Sequence, residues 1–239
     1  MTLTSDGAVR FKQMNALTKA LPEVRWNTWR PHISIVPLNV GDVLSAPSQK
    51  IRFHYFPVTA VIALHCGLTD GYESEIALIG NEGVLGVWAL SDKHSTPQRS
   101  SVQFSGLAIQ IDAPIVINEF ETISSFRNLI VRYNSSLLDY ASQTSGCYRH
   151  HSLVQQVART ILIASKRLHT DHIPLTHDHL ARILGVRREG ITVATNKLKQ
   201  LGLITQAYGT ITVMQRASLR LASCECLAAF EAIYDKLQS

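Results

Sequence analysis

The 239-residue sequence predicts an α+β chain: an N-terminal antiparallel β-roll (jelly-roll-like), a long dimerisation helix, and a C-terminal winged helix-turn-helix. Three observations carry this expectation. Short β-type segments punctuated by glycine fill the stretch from about Pro37 to Asp112. No glycine or proline interrupts the helical pattern between Glu119 and Ser145. Beyond it, "LARILGVRREGITVATNKL" reads as two amphipathic helices joined at Gly185, followed at once by a hairpin pattern. The expected domains are 1–114, 115–148 and 149–239, the last with an extra C-terminal helix.

In the β region, Ala60, Ile62, Leu64, Cys66 and Leu68 fall on one face of a strand, which makes Cys66 a core residue. Asp70-Gly71 is a tight-hairpin signal, and "VQFSGLAIQID" gives two strands around Ser105-Gly106. In the long helix, Ile123, Phe126, Ile130, Tyr133, Leu137, Tyr140, Thr144 and Cys147 alternate steps of three and four. That heptad seam is read as the line along which two chains pair; the alternative is a helix buried against its own domain.

The last third begins with the amphipathic "SLVQQVARTILIASKRL", then a break at "HTDHIP". Thr176 is placed to cap the next helix, with Asp178 in its first turn. Ala181, Gly185 and Ile191 stand where a steeply crossed helix pair needs a small contact, a turn free of Cβ strain and an apolar lock. Leu180, Leu184, Val186 and Ala194 are the supporting core positions. Gly202 ends the second helix, and Tyr208-Gly209 turns the hairpin that forms the wing. From Arg149 to Arg220 there are 11 basic and 3 acidic residues, whereas the rest of the chain is acidic on balance. A domain that neutralises phosphates concentrates charge in this way.

With these parts in order, the chain resembles the Crp/Fnr family of bacterial transcription regulators over nearly its full length. The matching pieces are "PLNVGDVL", "YFPV", "ALIGNEGVLGVWAL", "QRSSVQFSG" and "LGVRREGITVATNKLKQLGLI". The resemblance implies a homodimer on double-stranded DNA, reading a pseudo-palindromic site through a recognition helix at about 187–201. RNA polymerase is a further partner that such a regulator could engage. By the same resemblance Arg188, Glu189, Thr192 and Val193 face the bases. Arg188 suits a guanine edge and Glu189 a cytosine amine. Many relatives carry an arginine at the position of Val193, so no particular operator is carried over. Arg187 is expected on phosphate, with Lys197, Lys199 and Arg182 as weaker candidates, and Gly190 is expected to let backbone approach DNA.

In relatives that bind cyclic nucleotides, amides at a glycine turn, a Glu, and an Arg followed by Ser or Thr hold the ligand. This chain keeps Gly86, Arg99 and Ser100, but Val87 replaces the Glu and Trp88 adds bulk beside it. An isopropyl group cannot accept from a ribose hydroxyl, so cAMP is not the expected ligand. Either an unidentified effector (a small molecule, a redox signal or haem) gates the protein, or its abundance does. No cofactor is assigned. An iron–sulfur sensor of this family needs N-terminal cysteines, and none precedes Cys66. His54, His65 and His94 are isolated in the β region. His177 and His179, two apart on one helix, do not converge. "CEC" resembles a metal pair, yet on one continuous helix Cys226 joins the apolar stripe of Leu219, Ser223, Phe230, Ile233 and Leu237 while Cys224 points away; no metal is assigned.

A cupin-like metalloenzyme needs a His-x-His that the β region lacks, and no nucleophile elbow, P-loop or zinc-protease motif occurs, so no enzyme activity is expected. A winged module that docks protein is the other competing class. No apolar run approaches the roughly 20 residues that span a bilayer, and the N-terminus lacks signal-peptide regions, which points to the cytoplasm.

Overall fold

The computed structural model describes residues 5–67, 69, 73–90 and 98–238. The Asp70-Gly71 turn and His94 lie outside the described residues. The chain divides into two compact units. One comprises residues up to His65, Ala77–Leu138 and the last residues from Asp235; the other comprises Cys66–Ile76 and Asp139–Tyr234.

The first unit opens with helices α1 (Ser5–Gln13), α2 (Ala16–Lys19) and α3 (Glu23–Trp29). Asn15 fastens them to the sheets. Its carboxamide oxygen accepts from the Leu17 and Thr18 N–H groups, and its Nδ2 donates to the carbonyls of Pro57 and Gly83 at 2.9 Å each. Trp26 and Trp29 are fully buried. This helical segment had no counterpart in the β reading, which began at Pro37.

Seven strands follow: β1 (Ile33–Leu38), β2 (Val43–Ser45), β3 (Phe53–Pro57), β4 (Val61–Gly67), β5 (Glu73–Ile79), β6 (Arg99–Phe104) and β7 (Gly106–Asp112). They form two sheets, β1-β7-β3 and β2-β6-β4-β5. In the first, β7 pairs antiparallel with both neighbours, setting Ile111 opposite Ile33 and His54. β6 and β7 bracket Ser105 as the sequence predicted. Gly106 is required there: a Cβ would fall 2.3 Å from the Ala60 backbone nitrogen. β4 does not alternate. Val61 to His65 are buried in succession, whereas Cys66 is exposed and is not core.

Helix α4 (Ala113–Thr122) stops at Ile123, which is extended, and α5 (Ser124–His150) starts afresh. The expected unbroken helix from Glu119 is therefore two helices. Arg127 makes the break tolerable, because its guanidinium donates to the freed carbonyls of Phe120 and Glu121. Buried Glu119 ties α4 to α3 by accepting from Arg25 and, at 3.3 Å, from Trp29 Nε1.

The seam of α5 is occupied within its own unit. Phe126, Ile130 and Tyr133 are buried in one core with Trp29, Phe56 and Ile109, and Ile123 and Leu137 pack against it. Trp29 meets Phe126 edge-on at 5.4 Å. The Tyr133 ring covers Gly83, where any Cβ would collide with it. Tyr140, in the second unit, meets Phe230 in a tilted ring contact at 4.5 Å. These residues are spaced by seven because they bury one stripe against their own fold. Of the residues expected on the pairing seam, Phe126, Ile130, Tyr133 and Tyr140 are buried within the chain itself, and Ile123 and Leu137 are half-buried. The outward face carries Val131 and Leu138, 53% and 67% exposed.

The second unit adds α6 (Leu153–Leu168), β8 (His172–Ile173), α7 (His177–Leu184), α8 (Arg188–Gln200), β9 (Ile204–Ala207), β10 (Thr210–Val213), α9 (Arg216–Ala222) and α10 (Cys226–Gln238). Ser152 and Gln155 form a capping box at the start of α6. The "HTDHIP" break contains β8, which pairs with β10 to give the sheet β8-β10-β9.

His54 is fully buried on β3. Its Nε2–H donates to the Gly86 carbonyl at 3.1 Å, and its Nδ1 has no partner. Burial lowers its pKa to about 4, although the Gly86 bond opposes the shift. Between about pH 6.5 and about pH 4 the unfolded chain binds a proton that the folded chain refuses. Stability should therefore fall as pH drops through that window, by at most about 1.4 kcal/mol per pH unit from this group. Denaturant melts across the window should show this slope, and it should be reduced in His54→Gln.

Candidate nucleic-acid interface

The helix pair is built as its spacing predicts. Thr176 Oγ1 accepts from the His179 N–H at 3.1 Å and starts α7. Gly185 ends it in the left-handed region at φ 63°, and its N–H donates to the Ala181 carbonyl. Leu180, Leu184, Ile191 and Ala194 are buried. Val186 is not core; it is 36% exposed in the turn, since the chain must leave α7 before α8 can begin.

Arg187 is the N-cap of α8 and is exposed; a guanidinium, which has no acceptor, makes no capping bond there. Along α8, Arg188, Glu189, Val193, Asn196, Lys197 and Gln200 are exposed while Ile191, Ala194, Thr195 and Leu198 are buried. Glu189, Val193 and Asn196 follow one another at four and three residues, so they share one outward face. Asn196 was missed from sequence, although its position seven beyond Glu189 was the signal; a carboxamide suits an adenine edge. Lys199 and Arg182 are also exposed.

Two expected residues are half-buried. Thr192 Oγ1 lies 3.1 Å from both the Arg188 carbonyl and His177 Nδ1, so its hydroxyl is engaged within the domain. A Cβ on Gly190 would meet Leu153 Cδ2 at 3.0 Å. The glycine thus lies against Leu153 of α6.

His177 was read from sequence only as diverging from His179 on one helix, and it is a hub. Its ring reaches Gln206 Oε1 on β9 at 2.8 Å, Thr195 Oγ1 at 3.1 Å and Thr192 Oγ1 at 3.1 Å, fastening α7, α8 and the wing together. Asp178 lies 3.5 Å from Arg188 Nε at the head of α8, an exposed ion pair. The wing turns at Tyr208 and Gly209 with φ of 49° and 76°, the paired positive values of a tight hairpin. Tyr208 is fully exposed at its tip.

The residues expected around an effector lie in the first unit. Gly86 is in the left-handed region at φ 108°, and Val87 is buried in the core that contains Trp29 and Phe56. Ser100 is buried, with its hydroxyl 2.6 Å from that of Ser45. Arg99 opens β6 opposite His65 and is half-buried. A groove of about 710 Å³ lies elsewhere on this unit, along Lys50, Arg52, Pro114, Ile117 and Glu121.

Residues 155–222, which run from α6 through α9, match the Crp-like helix-turn-helix domain. No curated protein matches the sequence. Among solved structures, the chain is similar to one described as a transcriptional regulator of the Crp/Fnr family from Eubacterium rectale, at 14% identity and TM-score 0.71 over 86% of this chain and 96% of that one. It is similar to FixK2 from Bradyrhizobium japonicum, at 14% identity and TM-score 0.69 over 80% and 98%. It is also similar to CLP, a c-di-GMP responsive global regulator from Xanthomonas campestris, at 15% identity and TM-score 0.66 over 80% and 99%. At these identities the likeness establishes the fold: antiparallel sheets, a long helix and a helix-turn-helix, in the Crp/Fnr order.

Gly185→Ala should destabilise the protein by about 1–2 kcal/mol, the cost of an L side chain in the left-handed region. A denaturant midpoint unchanged by this substitution would remove the strained turn from the account of the helix pair.

Proposed function

We propose that the chain is a homodimeric, sequence-specific DNA-binding transcription regulator of the Crp/Fnr type, acting in the bacterial cytoplasm and without enzymatic activity. The observation that carries this reading is the outward face of α8: Arg188, Glu189, Val193 and Asn196 are exposed on a helix whose opposite side is locked by Ile191, Ala194 and Leu198. Arg187 and Lys197 flank that face, and Tyr208 stands at the wing tip. Such a face offers donors and acceptors to base edges in a major groove while its flanking cations meet phosphate. Thr192 contributes its methyl group, since its hydroxyl is held by His177 and the Arg188 carbonyl. Among the described residues no helix is long and apolar enough to cross a membrane, in keeping with this role.

Pairing of two chains runs along the outward face of α5, through Val131 and Leu138. The two are seven residues apart, two helical turns, and so form one apolar ridge. In the sensor unit, Val87 supplies no acceptor for a ribose hydroxyl and its side chain is committed to the core. The protein is therefore regulated by something other than classical cAMP capture.

Selection of bound sequences from a random DNA pool should return a two-fold half-site pattern, and adding cAMP should alter neither sequence nor affinity. Glu189→Ala should relax preference at one base pair per half-site, worth about 1–3 kcal/mol. Arg187→Ala should weaken binding to all sequences alike and lower the salt slope by about 1. A pool that yields no enriched sequence would favour the protein-docking alternative. In sedimentation, Leu138→Glu should shift the wild-type dimer toward monomer, and a dimer indifferent to this change would move the pairing surface away from α5.

A further inference from the structure

The cysteines and one histidine that sequence reading dispersed come together in the second unit. Cys147 lies in the last turn of α5 and His151 one turn later, and the His151 N–H still donates to the Cys147 carbonyl at 3.1 Å. Cys224 and Cys226 arrive from the other side. The continuous terminal helix expected from "ASLRLASCECLAAFEAIYDKL" does not form. α9 ends at Ala222, Ser223 is extended, and its hydroxyl donates to the Arg220 carbonyl at 2.7 Å. α10 starts afresh at Cys226. Two cysteines that would diverge on a helix therefore point to the same place.

The four donor atoms all lie within 4.8 Å of one another. Cys147 Sγ is 3.5 Å from Cys224 Sγ, and His151 Nδ1 is 3.5 Å from Cys226 Sγ. Tetrahedral zinc with bonds of about 2.3 Å to sulfur and about 2.0–2.1 Å to nitrogen sets its donors about 3.6–3.8 Å apart. The side chains thus already stand close to the corners of such a site. All four cysteines of the chain are free thiols.

The surroundings fit a metal as well as the donors do. His151 Nε2 lies 3.0 Å from Glu225 Oε1, so the ring donates that proton to the carboxylate and turns the lone pair of Nδ1 toward the sulfurs. A carboxylate behind a histidine is the usual outer support of a zinc ligand. Gln143 Nε2 donates to Cys226 Sγ at 2.9 Å. Arg159, only 4% exposed, has two buried donor nitrogens, Nε and Nη1, with no hydrogen-bond partner. Three thiolates around a divalent ion leave one surplus negative charge, which a buried guanidinium nearby would balance.

We propose that Cys147, His151, Cys224 and Cys226 bind one zinc ion as a closed structural site that clasps the start of α10 to the end of α5. Three sulfurs and an imidazole select a borderline-soft ion over magnesium or calcium. Four protein ligands leave no open position for chemistry. On binding, the three thiols release their protons to solvent and zinc–sulfur bonds form without any change of oxidation state. All four ligands lie outside residues 155–222, so the clasp is an addition to the Crp-like domain.

The test is a Co²⁺ titration of the reduced, metal-free full chain. Thiolate-to-cobalt charge-transfer absorption and tetrahedral visible bands should grow to one equivalent and be bleached by Zn²⁺. Zinc should also raise the Tm. Cys66→Ser, at an exposed position away from the cluster, should behave as wild type. Cys224→Ser should weaken zinc binding at least 100-fold. Glu225→Gln keeps every ligand and should weaken it about tenfold with the cobalt spectrum intact; this variant serves if Cys224→Ser does not fold. Folded, reduced wild type giving no charge-transfer band would overturn the proposal. So would a cobalt spectrum unmoved by Cys226→Ser, or a Cys147–Cys224 disulfide in acid-quenched protein from cells.

Discussion

The structure depends on the burial of one stripe of α5. Tyr133 can lie flat on the sheet side of its unit only because position 83 is glycine, and Phe126 fits edge-on to Trp29. These contacts fix the rotation of the helix about its axis. Once that is fixed, everything else along α5 follows by period. Tyr140 and Cys147, seven and fourteen residues after Tyr133, return to the buried side. Val131 and Leu138 are turned to solvent, where a second chain can reach them. Fully burying a residue of the size of Phe or Leu is worth about 1.5–3 kcal/mol, so several such residues hold the helix more firmly than any surface contact could.

The second unit applies the same logic on a smaller scale. A reading helix must present side chains without moving, so its back has to be held by groups other than those that read. His177 does much of this, since one ring bridges α7, α8 and β9. The bridge engages the Thr192 hydroxyl, which leaves the methyl group of that residue as the part not held by hydrogen bonds. Gly190 also faces the scaffold, with Leu153 of α6 close beside it. Residues one turn apart on the same helix can have opposite duties, and only their neighbours across the interface distinguish them.

Much of the fold was legible. The glycines at 106, 185 and 209 marked a close approach or a left-handed turn where local sterics leave few alternatives. The Thr176 cap, the Tyr208-Gly209 hairpin and the buried pattern of Leu180, Leu184, Ile191 and Ala194 were also readable, because each rests on contacts within a few residues or one helical period. On α8 the resemblance supplied Arg188, Glu189 and Val193, which are exposed, and Thr192, whose hydroxyl is engaged within the domain; it did not supply Asn196. The effector residues were less legible. Val87 and Ser100 are committed to partners distant in sequence, the core around Trp29 and the hydroxyl of Ser45.

What the sequence by itself determined was the type and order of the elements: sheets, long helix, helix-turn-helix and wing. Hydrophobic period, turn chemistry and charge asymmetry are local quantities, and they survive without knowledge of partners. The tertiary structure decided which surface each stripe meets. A heptad stripe is the same string of letters whether it faces a second chain or its own core, and here Trp29 and Phe56 claim it. The terminal stripe from Leu219 to Leu237 keeps its period across a break at Ser223, so the pattern conceals the turn that swings Cys224 and Cys226 toward Cys147 and His151. Periodicity reports which residues share a face; it carries no information about what stands opposite, because that depends on contacts some 75 residues apart along the chain.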